Sequence, residues 1–153
     1  MIHYLIDGNN LFGKAKSLTS FSKNKKGDER EQLVHLLDRF FYGRNCKVFL
    51  YFDGFQKIAI RSHKMKIIYS NSEPADTIIK SDISQSKNPK NLYVISSDLE
   101  IFDFARACGC HVKTSDEFYK DLDNKLTIEL EEKPEPSSAE LDYFKHLFEN
   151  DNE

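Results

Sequence analysis

Four aspartates occupy comparable places in the sequence. Asp7 follows the apolar run "IHYLI", Asp53 follows "CKVFLYF", Asp76 follows "KIIY" after the stretch "SNSEPA", and Asp98 follows "LYVI" after two serines. Brought together, such carboxylates repel: at about 5 Å and an effective dielectric of about 20, each pair costs roughly 3 kcal/mol. A cation among them removes that cost, and ligands that are all oxygen select a hard ion, Mg²⁺ or Mn²⁺. An ion of that kind suits phosphodiester hydrolysis, because it lowers the pKa of a bound water and neutralises the leaving oxygen without a dedicated general base. Each acid also has a local explanation. Asp76 and Asp98 fall in the first turns of expected helices, where a negative charge gains about 0.3–1 kcal/mol from the helix dipole. Ser97 and Glu100 have capping-box spacing around Asp98. Asp7 and Asp53 precede glycines, as turn residues do, and Asn10 has the chemistry of a helix cap.

The elements that must position these acids are legible in the hydrophobic pattern. Runs rich in β-branched and aromatic residues at 2–6, 46–52, 66–69, 92–95 and, more weakly, 111–114 read as strands. Between most of them lie helical patterns. "EREQLVHLLDRFF" sets Leu33, Leu36, Leu37, Phe40 and Phe41 on one face, and "LEIFDFARAC" groups Leu99, Phe102, Ala105 and Cys108. Gly43 and Gly109 stand where these helices should stop. Strands alternating with helices predict an α/β fold with a mostly parallel five-stranded sheet flanked by helices. In such a sheet ligands bind beyond the carboxyl ends of the strands, at the point where the strand order reverses. All four aspartates are delivered to that edge.

The chain has 153 residues, the size of one ordinary domain, and no apolar stretch approaches the roughly 18 residues of a membrane span. Asp7 interrupts any secretory h-region, so a cytoplasmic location is expected. Cys46, Cys108 and Cys110 match no zinc-site spacing and read as reduced thiols. The five histidines form no catalytic pairing in the pattern and read as structural. The net charge of −3 conceals an asymmetry: residues 1–114 hold 18 Lys and Arg against 12 Asp and Glu, a net +6, whereas residues 115–153 hold 4 against 13, a net −9. Positive charge is bunched in "KNKKGDER" (Lys23, Lys25, Lys26, Arg30) and in "QKIAIRSHKMK" (Lys57, Arg61, His63, Lys64, Lys66). Patches of this kind suit a phosphate backbone, and equally occur as solvated surface. From Lys125 the pattern weakens into a charged, proline-bearing linker. A last amphipathic helix then carries Leu141, Phe144, Leu147 and Phe148, with a capping box at Ser137–Glu140. The division is therefore residues 1–124 as the domain and 125–153 as acidic linker and C-terminal helix.

Several function classes lack their residues. There is no Gly-x-x-x-x-Gly-Lys loop and no Gly-x-Gly-x-x-Gly fingerprint, and Asp7 is followed by Gly8 and Asn9 rather than by the Asp-x-Asp of a haloacid-dehalogenase-type phosphatase. The acid pair and late lysine of a receiver domain are missing too.

Five segments, "LIDGNNLFG", "VFLYFDG", "SEPADTIIK", "YVISSDLEIFDFARACG" and "VKTSDEFYKDL", resemble in order and spacing the NYN domain of the PIN-like nuclease superfamily, most closely its YacP-like, ribosome-associated endoribonuclease members. The acidic tail lies outside this resemblance. It implies a PIN-like fold and a metal-dependent endoribonuclease, with Asp7, Asp76 and Asp98 as catalytic and metal-binding acids. Asn10 and Asp53 stand beside them, and the fourth acid is one of Asp53, Asp103 and Asp116. Ser96, Ser97, Thr114 and Ser115 can orient an aspartate or touch a phosphate. The implied partners are single-stranded RNA, met by Lys57, Arg61, Lys64 and Lys66, and the ribosome. The competing reading is a non-catalytic RNA-binding module that keeps the fold.

Overall fold

A computed structural model describes residues 1–18 and 29–132. Lys23, Lys25 and Lys26, the capping box at Ser137–Glu140 and the apolar positions from Leu141 to Phe148 lie outside the described residues. The strands are β1 (Ile2–Asp7), β2 (Cys46–Phe52), β3 (Met65–Tyr69), β4 (Leu92–Ile95) and β5 (His111–Lys113). The helices are α1 (Gly8–Leu18), α2 (Glu29–Phe41), α3 (Ala75–Gln85), α4 (Leu99–Ala107) and α5 (Ser115–Glu132). The sheet is parallel throughout, in the order β3-β2-β1-β4-β5. The chain thus builds outward from β1 to β3, then returns to lay β4 and β5 on the other side of β1. Its order reverses between β1 and β4.

Neighbouring residues along each strand point to opposite faces, and both faces are covered. Ile6, Leu50 and Ile95 meet Leu11 of α1, Leu33, Val34, Leu37, Phe40 and Phe41 of α2, and Phe118 and Leu122 of α5. Leu5, Tyr51 and Val94 meet Ile79 and Ile83 of α3 and Ile101 and Ala105 of α4. Full burial of one such Leu or Phe contributes about 1.5–3 kcal/mol. The two layers fix the strand tips as a rigid edge.

Two expectations from periodicity change. In α4 the buried stripe is Ile101 and Ala105, while Leu99 is exposed and Phe102 and Cys108 are half-buried. The reason is position: Leu99 opens the helix, beyond the edge of the sheet. And α5 runs through Lys125 to Glu132, so Lys125–Glu132 is helix rather than linker. Lys125 ties it to α2, its ammonium donating at 2.7 Å to the Phe40 carbonyl, one of the last carbonyls of that helix. The three cysteines are free.

Candidate active site

Asp7 is the last residue of β1 and α1 begins at the next position, with no loop between. Gly8 makes this junction possible: a Cβ there would lie 2.5 Å from the Tyr51 carbonyl oxygen and 2.7 Å from the Phe52 ring. Asp7 itself caps α1, accepting at Oδ1 from the Asn10 N–H at 3.3 Å. Asn10, expected as a cap, therefore sits inside the first turn with its side chain released for other bonds.

The two asparagines divide those bonds. Asn9 Oδ1 accepts the Asp53 N–H at 2.9 Å, tying the tip of β1 to the exit of β2. Asn10 Oδ1 accepts the Ser97 N–H at 2.8 Å and the Ser115 hydroxyl at 2.7 Å, tying the same tip to the segments after β4 and β5. Ser97 in turn accepts the Ser115 N–H at 2.9 Å. Across the switch point, the Ser96 hydroxyl donates to Asp7 Oδ2 at 3.0 Å and accepts the Asp98 N–H at 3.1 Å. The box expected between Ser97 and Glu100 does not form. Asp98 is itself the cap of α4, its Oδ1 accepting from Glu100 and Ile101 N–H.

On the β2 side, Asp53 Oδ1 accepts the Ala75 N–H at 2.7 Å and so caps α3 from another strand. This sets Asp76 in the first turn of α3, where its Oδ1 accepts the Thr77 N–H at 2.9 Å. The connection from Asp76 to Asp7 runs through Ala75, Asp53 and Asn9. Arg30, at the start of α2, donates to the Asp53 carbonyl at 3.4 Å and stacks over Phe52.

Asp7 is 8% exposed. Burial pushes its carboxyl above the usual carboxylate range; the bonds from Asn10 and Ser96 pull it back, and the charges of Asp53 and Asp98 push it up again. The structure thus brings Asp7, Asp53 and Asp98 into one electrostatic neighbourhood, together with Asn10, Ser96 and Ser97. Among the described residues no three His, Cys, Asp or Glu side chains converge closely enough to hold a metal by themselves. The donor chemistry still fits a Mg²⁺-type ion, which keeps several waters and is commonly held through one or two carboxylates and the substrate's phosphate. Asp7, with Asp53, Asp98 or Asp76, would hold it.

The basic residues do not form one patch. Lys57, four positions beyond Asp53, and Arg61 and Lys66 are exposed. Lys64 is half-buried and donates to the Arg44 carbonyl; it precedes Met65 at the start of β3, on the edge of the sheet opposite the aspartates. Sequence reasoning missed Asn9 and also Ser70, whose hydroxyl accepts the Gly54 N–H at 3.0 Å. The doubled asparagine directly after Asp7 and Gly8 was the available signal for Asn9.

The all-parallel sheet with acids near its switch point is an α/β arrangement, and the YacP-like NYN domain model matches residues 4–151: the chain belongs to that family. The match extends into the acidic segment. Among solved structures, Rae1 (YacP) from Bacillus subtilis is similar, with a TM-score of 0.65 and 18% identity over 99% of this chain and 90% of that one. A point mutant of Rae1 gives a TM-score of 0.66 and 21% identity over 84% of this chain and 80% of that one. At these identities the likeness is one of fold. No curated protein matches the chain.

Proposed function

We propose that this protein is an endoribonuclease that hydrolyses RNA phosphodiester bonds with Mg²⁺ or Mn²⁺. The observation that carries the proposal is the buried Asp7, hydrogen-bonded across the switch point to Ser96 and crowded by the charges of Asp53 and Asp98. A fold accepts such like-charge crowding at low cost when a cation sits among the acids. When bound, the ion supplies an acidified water and neutralises the leaving oxygen. The chain's own residues do the rest. Asp7 is held in one rotamer by two hydrogen bonds, Asp98 is set by the start of α4, and Asp76, in the first turn of α3, is the third acid of this reading. Asn10, Ser96 and Ser97 hold the β1 and β4 tips at fixed separation, so phosphate and acids meet in a preset geometry. Lys57 neutralises a flanking phosphate, and Arg61, further along the same connection, one more distant.

The working place in this reading is the cytoplasm, with the ribosome as a partner. Among the described residues no helix is long and apolar enough to cross a membrane. Of the expected division at residue 124, we keep the acidic segment as an appendage but move its start beyond Glu132, because α5 runs unbroken through Lys125, which is tied to α2.

The deciding experiment is incubation of the pure protein with a single-stranded RNA and millimolar Mg²⁺ or Mn²⁺, with and without EDTA, beside Asp98→Asn. Internal cleavage that stops with EDTA and is lost in a folded Asp98→Asn variant supports the proposal. The second reading, an RNA-binding module without catalysis, draws on the lack of a converged three-ligand cluster among the described residues. RNA binding with no metal-dependent cleavage would establish it instead.

A further inference from the structure

Large apolar side chains are exposed at few places among the described residues, and two of those places adjoin the acids. Phe55, two positions beyond Asp53, is 62% exposed; Leu99, next to Asp98, is 75% exposed. The fold gives Phe55 and Leu99 no structural task. Neither belongs to a core cluster, and the Phe55 ring stacks on no other ring among the described residues. Ile101 and Ala105 anchor α4, and the Asp98 carboxylate caps it, so the first turn does not need a leucine. The strand order places these two residues on opposite sides of Asp7. Phe55 lies beyond the tip of β2 and Leu99 beyond the tip of β4, and β1 runs between those strands. Neighbouring strands lie about 4.8 Å apart, so the ends of β2 and β4 stand about 10 Å apart across the tip of β1. Lys57, two positions beyond Phe55 on the same connection, is exposed, so an aromatic ring and a cation stand close together in the chain on the β2 side. That is the composition of surfaces that stack bases while neutralising phosphates.

We propose that Phe55 and Leu99 are the two walls of a cleft that takes an unpaired stretch of RNA, Phe55 stacking on a base to one side of the phosphate over Asp7 and Leu99 packing against a base on the other. The inference rests on the nuclease reading for its substrate. Single-stranded RNA is already that reading's expected partner; the inference adds the two side chains that select it, because a duplex keeps its base faces stacked inward and offers nothing to either wall.

The test measures binding in EDTA, apart from cleavage, for wild type, Phe55→Ala, Phe55→Trp and Leu99→Ala. The probes are a single-stranded RNA with 2-aminopurine at successive positions and the same strand annealed to its complement. Phe55→Ala is expected to weaken single-strand binding by roughly 5- to 150-fold, the range for loss of one base–aromatic stack, with duplex binding unchanged within about twofold. Phe55→Trp retains the affinity, Leu99→Ala weakens it in the same direction, and 2-aminopurine quenching at one position disappears with Phe55→Ala. Both positions are exposed, and thermal unfolding confirms that the variants fold. Equal effects on both RNAs, or none, overturn the inference. So does intact RNA affinity with lost binding to ribosomes, which would make the walls a protein-docking surface. Phe55-dependent binding without metal-dependent cleavage would sink the nuclease reading and leave the cleft standing; cleavage indifferent to Phe55 and Leu99 would do the reverse.

Discussion

The Ser96 hydroxyl joins two aspartates, donating to Asp7 Oδ2 at 3.0 Å while it accepts the Asp98 N–H at 3.1 Å. The bond crosses the gap between β1 and β4, where the strand order reverses. One side chain therefore fixes the spacing of two acids that the sequence separates by 91 positions.

Ser96→Ala removes the Asp7 bond and leaves a buried carboxylate oxygen short of a donor. A cost of about 1–3 kcal/mol follows, read as a fall in Tm of about 2–4 °C for each kcal/mol in a domain of this size. If Ser96 positions Asp7 for chemistry, cleavage falls at least about 10-fold in kcat at unchanged RNA affinity, consistent with lost orientation. Ser96→Thr keeps the hydroxyl and should recover most of it. A variant that melts earlier but cleaves normally would reduce Ser96 to a structural role.

Asp7→Asn should stabilise the protein as it inactivates it. The folded carboxyl titrates above its unfolded value because of burial and of the charges of Asp53 and Asp98. Between the two values the native state binds more protons than the unfolded state. Its contribution is therefore present below the unfolded pKa and is lost as pH rises through the folded one. At pH 7 the asparagine variant is expected to melt above the wild type, stability gained at the cost of function. That advantage shrinks toward the ordinary carboxylate range. Millimolar Mg²⁺ should raise the wild-type Tm by mass action and leave the variant unmoved. Thermal scans at several pH values decide it: a variant less stable than wild type at pH 7 would show that Asp7 carries no such strain.

Much of this was legible because each level of the sequence agreed with the next. Strand runs near-continuous in apolar residues announce a sheet covered on both faces, and β2 and β4 span the expected residues. What failed was local. Leu99 fits a helical stripe, but a stripe does not reveal where a helix leaves the sheet behind, and the first turn of α4 does so. Asp53 looked like a turn residue before Gly54, yet its carboxylate caps α3 through the Ala75 N–H, a partner 22 positions away. Hydrogen bonds of that range leave no periodic trace. Lys64 looked like a member of a basic patch because neighbours in sequence were read as neighbours in space. The β2–β3 connection carries it to the opposite edge of the sheet.

Gly8→Ala tests whether the strand-to-helix junction is as tight as it looks. The added Cβ meets the Tyr51 carbonyl at 2.5 Å and the Phe52 ring at 2.7 and 2.9 Å; the nearest contact is backbone, which cannot step aside. Overpacking of this kind costs about 1–3 kcal/mol or more. Relief requires α1 to shift, and Asn9 and Asn10 travel with it, so activity should fall further than stability alone explains. Denaturant unfolding and cleavage at a temperature where the variant is fully folded separate the two effects. A folded variant with wild-type cleavage would show that the site does not depend on the placement of α1.

The last prediction separates the lysines and arginine that the sequence grouped together. Lys57 and Arg61 are exposed on the connection that leaves Asp53, whereas the Lys64 ammonium is engaged by the Arg44 carbonyl at the start of β2's edge of the sheet. Each phosphate neutralised by the protein releases counterions, which gives the dependence of affinity on salt a slope of roughly 0.7 per contact for single strands. Neutralising Lys57 and Arg61 together, as Lys57→Gln with Arg61→Gln, should weaken binding of every RNA about equally and flatten the slope by about 1.4. Lys64→Gln should leave the slope as it is and instead lower stability by about 1 kcal/mol, the usual scale of one lost hydrogen bond. Affinities measured from about 50 to 200 mM salt distinguish the three proteins. A slope that falls with Lys64→Gln and holds in the double variant would place the RNA path along the other edge of the sheet, away from Asp7, and would count against the acid crevice as the place of cleavage.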